Sequence, residues 1–241
     1  MKSTNMDLWN SVEKTDPGAT KKANVNGQSI TSINGLHVFR KATETFGPWG
    51  TGWGAEVITE RYDQGGPVTD KEGAVIARET SHTVHIRLWY VLDGKRGEVQ
   101  AYGCTPFVYR SKWGATTDME APKKSFTDAV KKALSGLGFS ADVYMGMFDD
   151  LDYYQERIAE TEVEKAEDKE AEIERQKQER LDWLKDAVRL VETATSLGEL
   201  KKLHATYVRS ATRRKEESFV KRLAKAYEQR SKELQEKEQT A

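Results

Sequence analysis

Several side chains in this chain have the types and spacings that metal chemistry uses. Asp118 and Glu120, or the adjacent Asp149 and Asp150, offer carboxylates for magnesium, as a two-metal nuclease would need. No Glu-x-Lys arrangement accompanies either pair, so a nuclease stands as the alternative reading rather than the leading one. The four histidines are His37, His82, His85 and His204. His82 and His85 are three apart on an expected strand, where they point to opposite faces and cannot share one metal. Cys104 is the single cysteine, which excludes an internal disulfide framework and a cysteine-based zinc site. No GxxxxGK[ST] phosphate loop exists; Lys95 follows Gly94, but the upstream glycine is missing. No cofactor, no metal site and no catalytic residue is therefore assigned. What remains is cationic. Lys123, Lys124, Lys131 and Lys132 lie within one segment, and Arg87 and Trp89 alternate on a strand.

The elements that must position these groups follow from periodicity. Apolar residues at Phe126, Val130, Ala133, Leu134 and Leu137 form one helical stripe, predicting a helix from Pro122 to Leu137. At about 100° per residue, Lys124 and Lys131 fall within about 20° of each other, with Lys132 further round. All three sit beside the stripe, so one helix can bury Val130 and Leu134 and still hold a row of ammonium groups. Such a row suits a phosphate backbone, which is recognised as charge. Asp128 is spaced to pair with Lys124, Lys131 or Lys132. Upstream, His82 to Leu92 alternates strictly: Val84, Ile86, Leu88, Tyr90 and Leu92 on one face, Thr83, His85, Arg87, Trp89 and Val91 on the other. Residues 93–97 read as a hairpin loop and Glu98 to Cys104 as the returning strand. Trp53 to Tyr62 is a further strand, with a break expected at Gln64-Gly65-Gly66-Pro67. Asn34 to Phe46 predicts a helix with Leu36, Phe39, Ala42 and Phe46 inward, ended by Gly47-Pro48. Residues 1–30 read as a polar arm or a short strand pair. Arg87 and Trp89 fit either a stacking surface for nucleic acid or a contact with a neighbouring subunit.

The chain of 241 residues carries 38 basic and 39 acidic side chains, a formal net charge of -1. That balance hides a division. Of 22 aromatic residues, 16 precede residue 151, and the remainder of the chain is polar with a thin apolar stripe. From Asp149 to Glu179 there are 13 acidic and 5 basic residues; from Lys201 to Lys232 there are 11 basic and 3 acidic. Residues 155–180 are expected to be an acidic linker, either solvated helix or disordered. Leu181, Leu184, Val188 and Val191, a capping box at Ser196 to Glu199, and Val220, Leu223, Tyr227 and Leu234 predict a C-terminal helical region over 181–241. No apolar run reaches the length of a membrane span, and the N-terminus lacks the apolar core of a signal peptide, so a cytoplasmic protein with no membrane partner is expected.

The segment Ala121 to Gly138, APKKSFTDAVKKALSGLG, resembles the signature helix of single-strand annealing proteins: the phage essential-recombination-function (ERF) family and the Rad fifty-two family. Lys123, Thr127, Asp128, Lys131, Lys132, Ala133, Leu134 and Gly138 hold the matching places. Residues 146–150 followed by Tyr153 are similar to the end of that domain, and Phe46, Gly47, Gly52 and Trp53 to its earlier Phe-Gly…Gly-Trp block. The Asp93-Gly94 loop and Tyr102-Gly103 match in order. The resemblance covers residues 30–154. It departs where the eukaryotic motif places a strongly basic residue and this chain has Ser135-Gly136, so the groove is either less positive or charged by other segments.

The resemblance implies an α+β fold with a small antiparallel β-β-β-α core, residues 1–154 being the DNA-binding and oligomerisation domain. Beyond it, charge and apolar pattern alone give 155–180 as an acidic helical or disordered linker and 181–241 as a C-terminal α-helical appendage, expected to be a partner-docking domain. The implied function is ATP-independent annealing of single-stranded DNA in recombination and repair, by a ring or filament of copies. Single-stranded DNA and the annealed duplex are the ligands; a single-strand binding protein or an exonuclease is the partner of the C-terminal region. A bacteriophage source, and hence the bacterial host cytoplasm, goes with it. The remaining alternative is a helical scaffold recruiting recombination partners.

Overall fold

The computed structural model describes residues 5–25 and 28–239; the ends of the expected N-terminal arm and the tip of its strand pair lie outside these. The chain divides into two compact units, residues 1–149 and residues 150–241.

The first unit is α+β. It opens with α1 (Asp7–Val12), a 3-10 turn (Pro17–Ala19) and the antiparallel pair β1 (Thr20–Val25) and β2 (Gln28–Ile33). Helix α2 (Gly35–Phe46) follows, its N-cap Asn34 accepting from Leu36 N. Its buried side chains are Val38, Ala42 and Phe46, an i, i+4, i+8 line. Leu36, expected inside, is 78% exposed. Phe39 turns sideways instead, stacking on Trp49 and meeting Trp53 edge-on. Gly47, at φ 96, ends the helix in a conformation that side chains disfavour.

Four antiparallel strands then form a meander in the order β3-β4-β5-β6: β3 (Trp53–Thr69), β4 (Val75–Leu92), β5 (Lys95–Ser111) and β6 (Gly114–Thr117). The sheet curls, bringing β6 near β3. The expected break at residues 64–67 does not occur. Strand β3 continues through it with a register shift between Gln64 and Pro67. Two glycines absorb the extra length as a bulge, and Pro67 is tolerated because β3 is the outer strand of the ladder. The expected five-residue loop at 93–97 is a two-residue turn. Asp93 and Gly94 both have positive φ (50° and 72°), the signature of a tight primed hairpin turn.

Helix α3 (Ala121–Ser135) crosses β4 and β5, with Pro122 in its first turn. Its buried face is Ala121, Ser125, Ala129 and Ala133 together with Val130 and Leu134. Phe126 and Leu137, expected in the stripe, are only partly buried. The reason is proximity. A Cβ at Gly103 of β5 would lie 1.9 Å from Ser125 O, so only small side chains fit between helix and strand. Ser125 Oγ donates to His82 O (3.0 Å), satisfying a buried carbonyl at the same contact. Val84, Ile86 and Leu88 of β4 supply the core beneath, as their alternation predicted. A short α4 (Ala141–Tyr144) and a 3-10 turn (Met147–Asp149) complete the unit. Asp142, buried, anchors them by accepting from Thr15 N (2.8 Å) and Thr15 Oγ1 (2.6 Å).

Among the described residues the second unit's elements are all helices: α5 (Leu151–Lys165), α6 (Lys169–Glu192), α7 (Leu197–Arg213) and α8 (Glu217–Gln239). Residues 155–180 are thus helical apart from a short break after Lys165. Asp150 caps α5 and Asp168 caps α6. Arg175 bridges Glu172 (2.6 Å) and Glu179 (2.5 Å), stabilising a helix with little apolar surface. The core joins Ala187, Val188 and Val191 of α6 to Leu200 and Ala211 of α7 and Leu223, Ala226 and Leu234 of α8. Ser196 Oγ accepts from Glu199 N (3.2 Å), one half of a capping box. The other half is shifted: Glu199 Oε2 accepts from Thr195 N and Thr195 Oγ1 rather than from Ser196. Ser196→Ala should therefore lower the stability of this unit by about 1 kcal/mol. A shift of the urea midpoint at unchanged m-value is the readout, and an unchanged midpoint would mean Thr195 and Glu199 hold the helix end alone.

Candidate nucleic-acid interface

Because Ala121, Ser125, Ala129 and Ala133 fix α3 to the sheet, its lysines are left on the outer side. Lys123, Lys124 and Lys132 are exposed and Lys131 is partly so. Each has a different electrostatic setting. Lys124 Nζ is 2.6 Å from Asp118 Oδ2, and Lys132 Nζ is 2.9 Å from Asp128 Oδ2. Lys123 pairs with Glu120. Lys131 makes no ion pair among the described residues. Of the three partners open to Asp128, the helix thus selects Lys132. The row carries four cations against three carboxylates, so its surplus charge is small and centred on Lys131. Exposed pairs of this kind are weakened by solvent screening, so a phosphate can exchange for the carboxylate at little cost.

Asp118 marks the strength of one such pair. The Lys124 ammonium, aided by Glu120 N, holds its carboxyl below the usual aspartate range. A lowered carboxyl pKa contributes stability above the ordinary value of about 4 and loses it as pH falls through the lowered one. The urea midpoint of wild type should therefore exceed that of Asp118→Asn by a constant amount from pH 8 to pH 5. The gap should close on further acidification. A gap that stays constant down to pH 2 would show that the Asp118 charge does not act through this pair.

Arg87 and Trp89 stand elsewhere. They alternate with Ile86 and Leu88, which face α3, so they occupy the opposite face of the sheet. Arg87 lies between Glu56 (Nη1 to Oε2, 3.7 Å) and Glu98 (Nε to Oε2, 3.4 Å). Trp89 lies over Gly54, which a Cβ would bring within 3.0 Å of the indole, and the Arg96 guanidinium sits 4.9 Å from its ring centre. The structure thus separates the six candidate residues into two surfaces: four lysines on α3 and the Arg87–Trp89 pair behind the sheet. Two neighbouring carboxylates leave Arg87 poorly disposed toward a phosphate.

One residue near Asp128 was not singled out from the sequence. Tyr144 of α4 lies within electrostatic reach of Asp128; partial burial, with the Asp128 charge adding to it, raises its pKa to about 12. Its hydroxyl stays protonated at neutral pH, and the residue is 46% exposed. No sequence period links Tyr144 to α3, because the Gly138 and Ser140 turns, both at positive φ, lie between them.

The remaining chemistry-bearing residues are occupied structurally. His82 is buried with Nε2 2.8 Å from Glu60 Oε1, whereas His85 stacks on Tyr102 on the other face. Burial lowers the pKa of His37 and His204. Asp149 accepts from Lys22 (2.9 Å) and Thr31 (3.2 Å), and Asp150 is a helix cap. Among the described residues no three His, Cys, Asp or Glu side chains gather as a metal cluster, and no helix is long and apolar enough to cross a membrane. Comparison of the chain with family models, with curated proteins and with solved structures finds no match.

Proposed function

We propose that this chain is an ATP-independent single-strand DNA annealing protein, similar to the phage ERF and Rad fifty-two-like families, acting in recombination and repair in the cytoplasm. The observation that carries the reading is the position of α3. The segment with the annealing-protein resemblance is a single helix laid across an antiparallel meander, held by small side chains at Gly103 and presenting Lys123, Lys124, Lys131 and Lys132 outward. Phosphates are gripped through charge, and base edges stay free to test a second strand. The work is binding and assembly, not bond-making. Copies of the chain form a ring or filament that repeats the lysine row along the DNA, multiplying weak single contacts. The basic α7–α8 stretch of the second unit serves a partner, a single-strand binding protein or an exonuclease.

Mixing two complementary labelled oligonucleotides with the protein, without ATP and in a metal chelator, tests this directly. Accelerated duplex formation is the expected result. Magnesium-dependent strand degradation would assign a nuclease instead, and failure to bind any oligonucleotide would leave a helical scaffold. A monodisperse monomer, with and without oligonucleotide, would overturn the assembly.

A further inference from the structure

Trp113 is the most exposed large apolar side chain among the described residues, at 85%. An indole left in water forgoes a large favourable burial, because a tryptophan buries roughly 150–250 Å² when packed. Nothing in the local backbone requires it. Ser111 pairs with Gly114, leaving Lys112 and Trp113 as the two-residue turn between β5 and β6. Ser111 Oγ accepts from Trp113 N (3.1 Å), donates to Gly114 O (3.1 Å) and shares a bond with Thr116 Oγ1 (2.7 Å). Gly114, at φ 104, completes the turn. The backbone is thus ordered by hydroxyl and amide groups, and the indole is presented rather than packed.

Its surroundings are cationic. The Lys112 ammonium lies 4.8 Å from the ring centre, and Arg110 is exposed on the strand leading into the turn. Neither cation pairs with a carboxylate among the described residues. The short β6, about 13 Å long at about 3.3 Å per residue, then leads through Asp118 to the start of α3, where Lys123 and Lys124 stand. A flat π surface with one unpaired cation beside it, and a second on the strand leading into the turn, complements a polyanion that carries π faces of its own. The turn's other residues, Ser111 and Gly114, supply no apolar surface for a membrane or a protein groove.

We infer that the Lys112–Trp113 turn is a base-stacking finger for single-stranded nucleic acid. Trp113 stacks on the face of an unpaired base, and Lys112 and Arg110 hold the flanking phosphates. This rests on the single-strand binding reading and adds to it the place where a base is held. Stacking uses the base face and leaves the pairing edge open, so the contact is compatible with annealing.

The test uses the full chain and a fluorescently labelled oligothymidylate, read by anisotropy across a salt series. Trp113→Ala should weaken binding roughly 5- to 160-fold, the span that stacking on an aromatic ring supplies, with the salt slope unchanged. Trp113→Phe should restore most of the loss. An abasic strand of equal length should bind wild type and Trp113→Ala alike. Unchanged thermal unfolding of Trp113→Ala would establish that the loss is not one of folding. If Trp113→Ala binds the oligothymidylate like wild type while Lys131→Ala/Lys132→Ala does not, the finger is overturned and the single-strand reading stands. If wild type binds no oligonucleotide but binds anionic vesicles through Trp113, both are overturned.

Discussion

Gly103→Val should unfold the residue 1–149 unit or leave it far less stable, and Gly103→Ala should lower its stability by roughly 3 kcal/mol or more. The added Cβ would lie 1.9 Å from Ser125 O, 2.6 Å from Ala129 N and 3.0 Å from Ala129 Cβ. Two of these are helix backbone atoms, so no rotamer change relieves the clash. Helix α3 must lift off β5, which also breaks the Ser125 Oγ bond to His82 O and leaves a buried carbonyl unsatisfied, costing about 1–3 kcal/mol more. For a unit of this size each kcal/mol lowers Tm by about 2–4 °C, so Gly103→Ala should lose about 6–12 °C or more. The readout is thermal unfolding followed by near-ultraviolet dichroism, which reports the buried Trp53. Gly66→Ala is the control: its Cβ meets nothing within 4 Å, and its stability should stay within about 0.5 kcal/mol of wild type. Equal melting of the two variants would mean that α3 is not seated on β5 as described, and the outward placement of its lysines would fall with it.

That close seat explains which parts of the fold the residues announced. Strict alternation from Val84 to Leu88 needs no knowledge of partners, since a strand with one buried face shows it directly. The existence of α3 was equally plain from its period and from Pro122. Its buried face was legible in part: Val130, Ala133 and Leu134 are buried as the stripe predicted, but the rest depends on which residue of β5 lies beneath the helix. Gly103 admits Ala129 and Ser125 where a periodic pattern favoured Phe126. The segment 64–67 looked like a break because glycine and proline usually interrupt; on an outer strand the same residues make a bulge. Residues 155–180 gave no apolar period, yet form helix, since caps at Asp150 and Asp168 and the Arg175 pairs act without a buried face. In the candidate interface, the lysines were legible as types on one helix. Their partners were only partly so. Asp128 to Lys132 is helical spacing, but Asp118 reaches Lys124 from outside the helix through a turn that no pattern encodes.

Lys131→Ala/Lys132→Ala should weaken single-stranded DNA binding roughly 25-fold at 0.1 M salt and reduce the log–log salt slope by about 1.4, if both ammonium groups contact phosphate. Each such contact on a single strand contributes about 0.7 to that slope, so the difference between wild type and variant should vanish near 1 M salt. The two lysines are not equivalent. Lys131 is free to meet a phosphate, whereas Lys132 must leave Asp128, so Lys131→Ala should carry the larger share. Asp128→Asn then moves affinity in the opposite direction, by removing the carboxylate that competes with the phosphate. Arg87→Ala provides the contrast. Its guanidinium is already balanced by Glu56 and Glu98 on the far side of the sheet, and its loss should leave affinity and slope nearly unchanged. The sign pattern discriminates between the two surfaces. A large loss at Arg87 with none at Lys131 would move the nucleic acid to the open sheet face, where Trp89 and Arg96 would be its neighbours. Loss at Lys131, gain at Asp128→Asn and indifference at Arg87 would hold it on α3. Only that second pattern is consistent with a strand gripped by its phosphates along a row of lysines, with its bases left to find their complements.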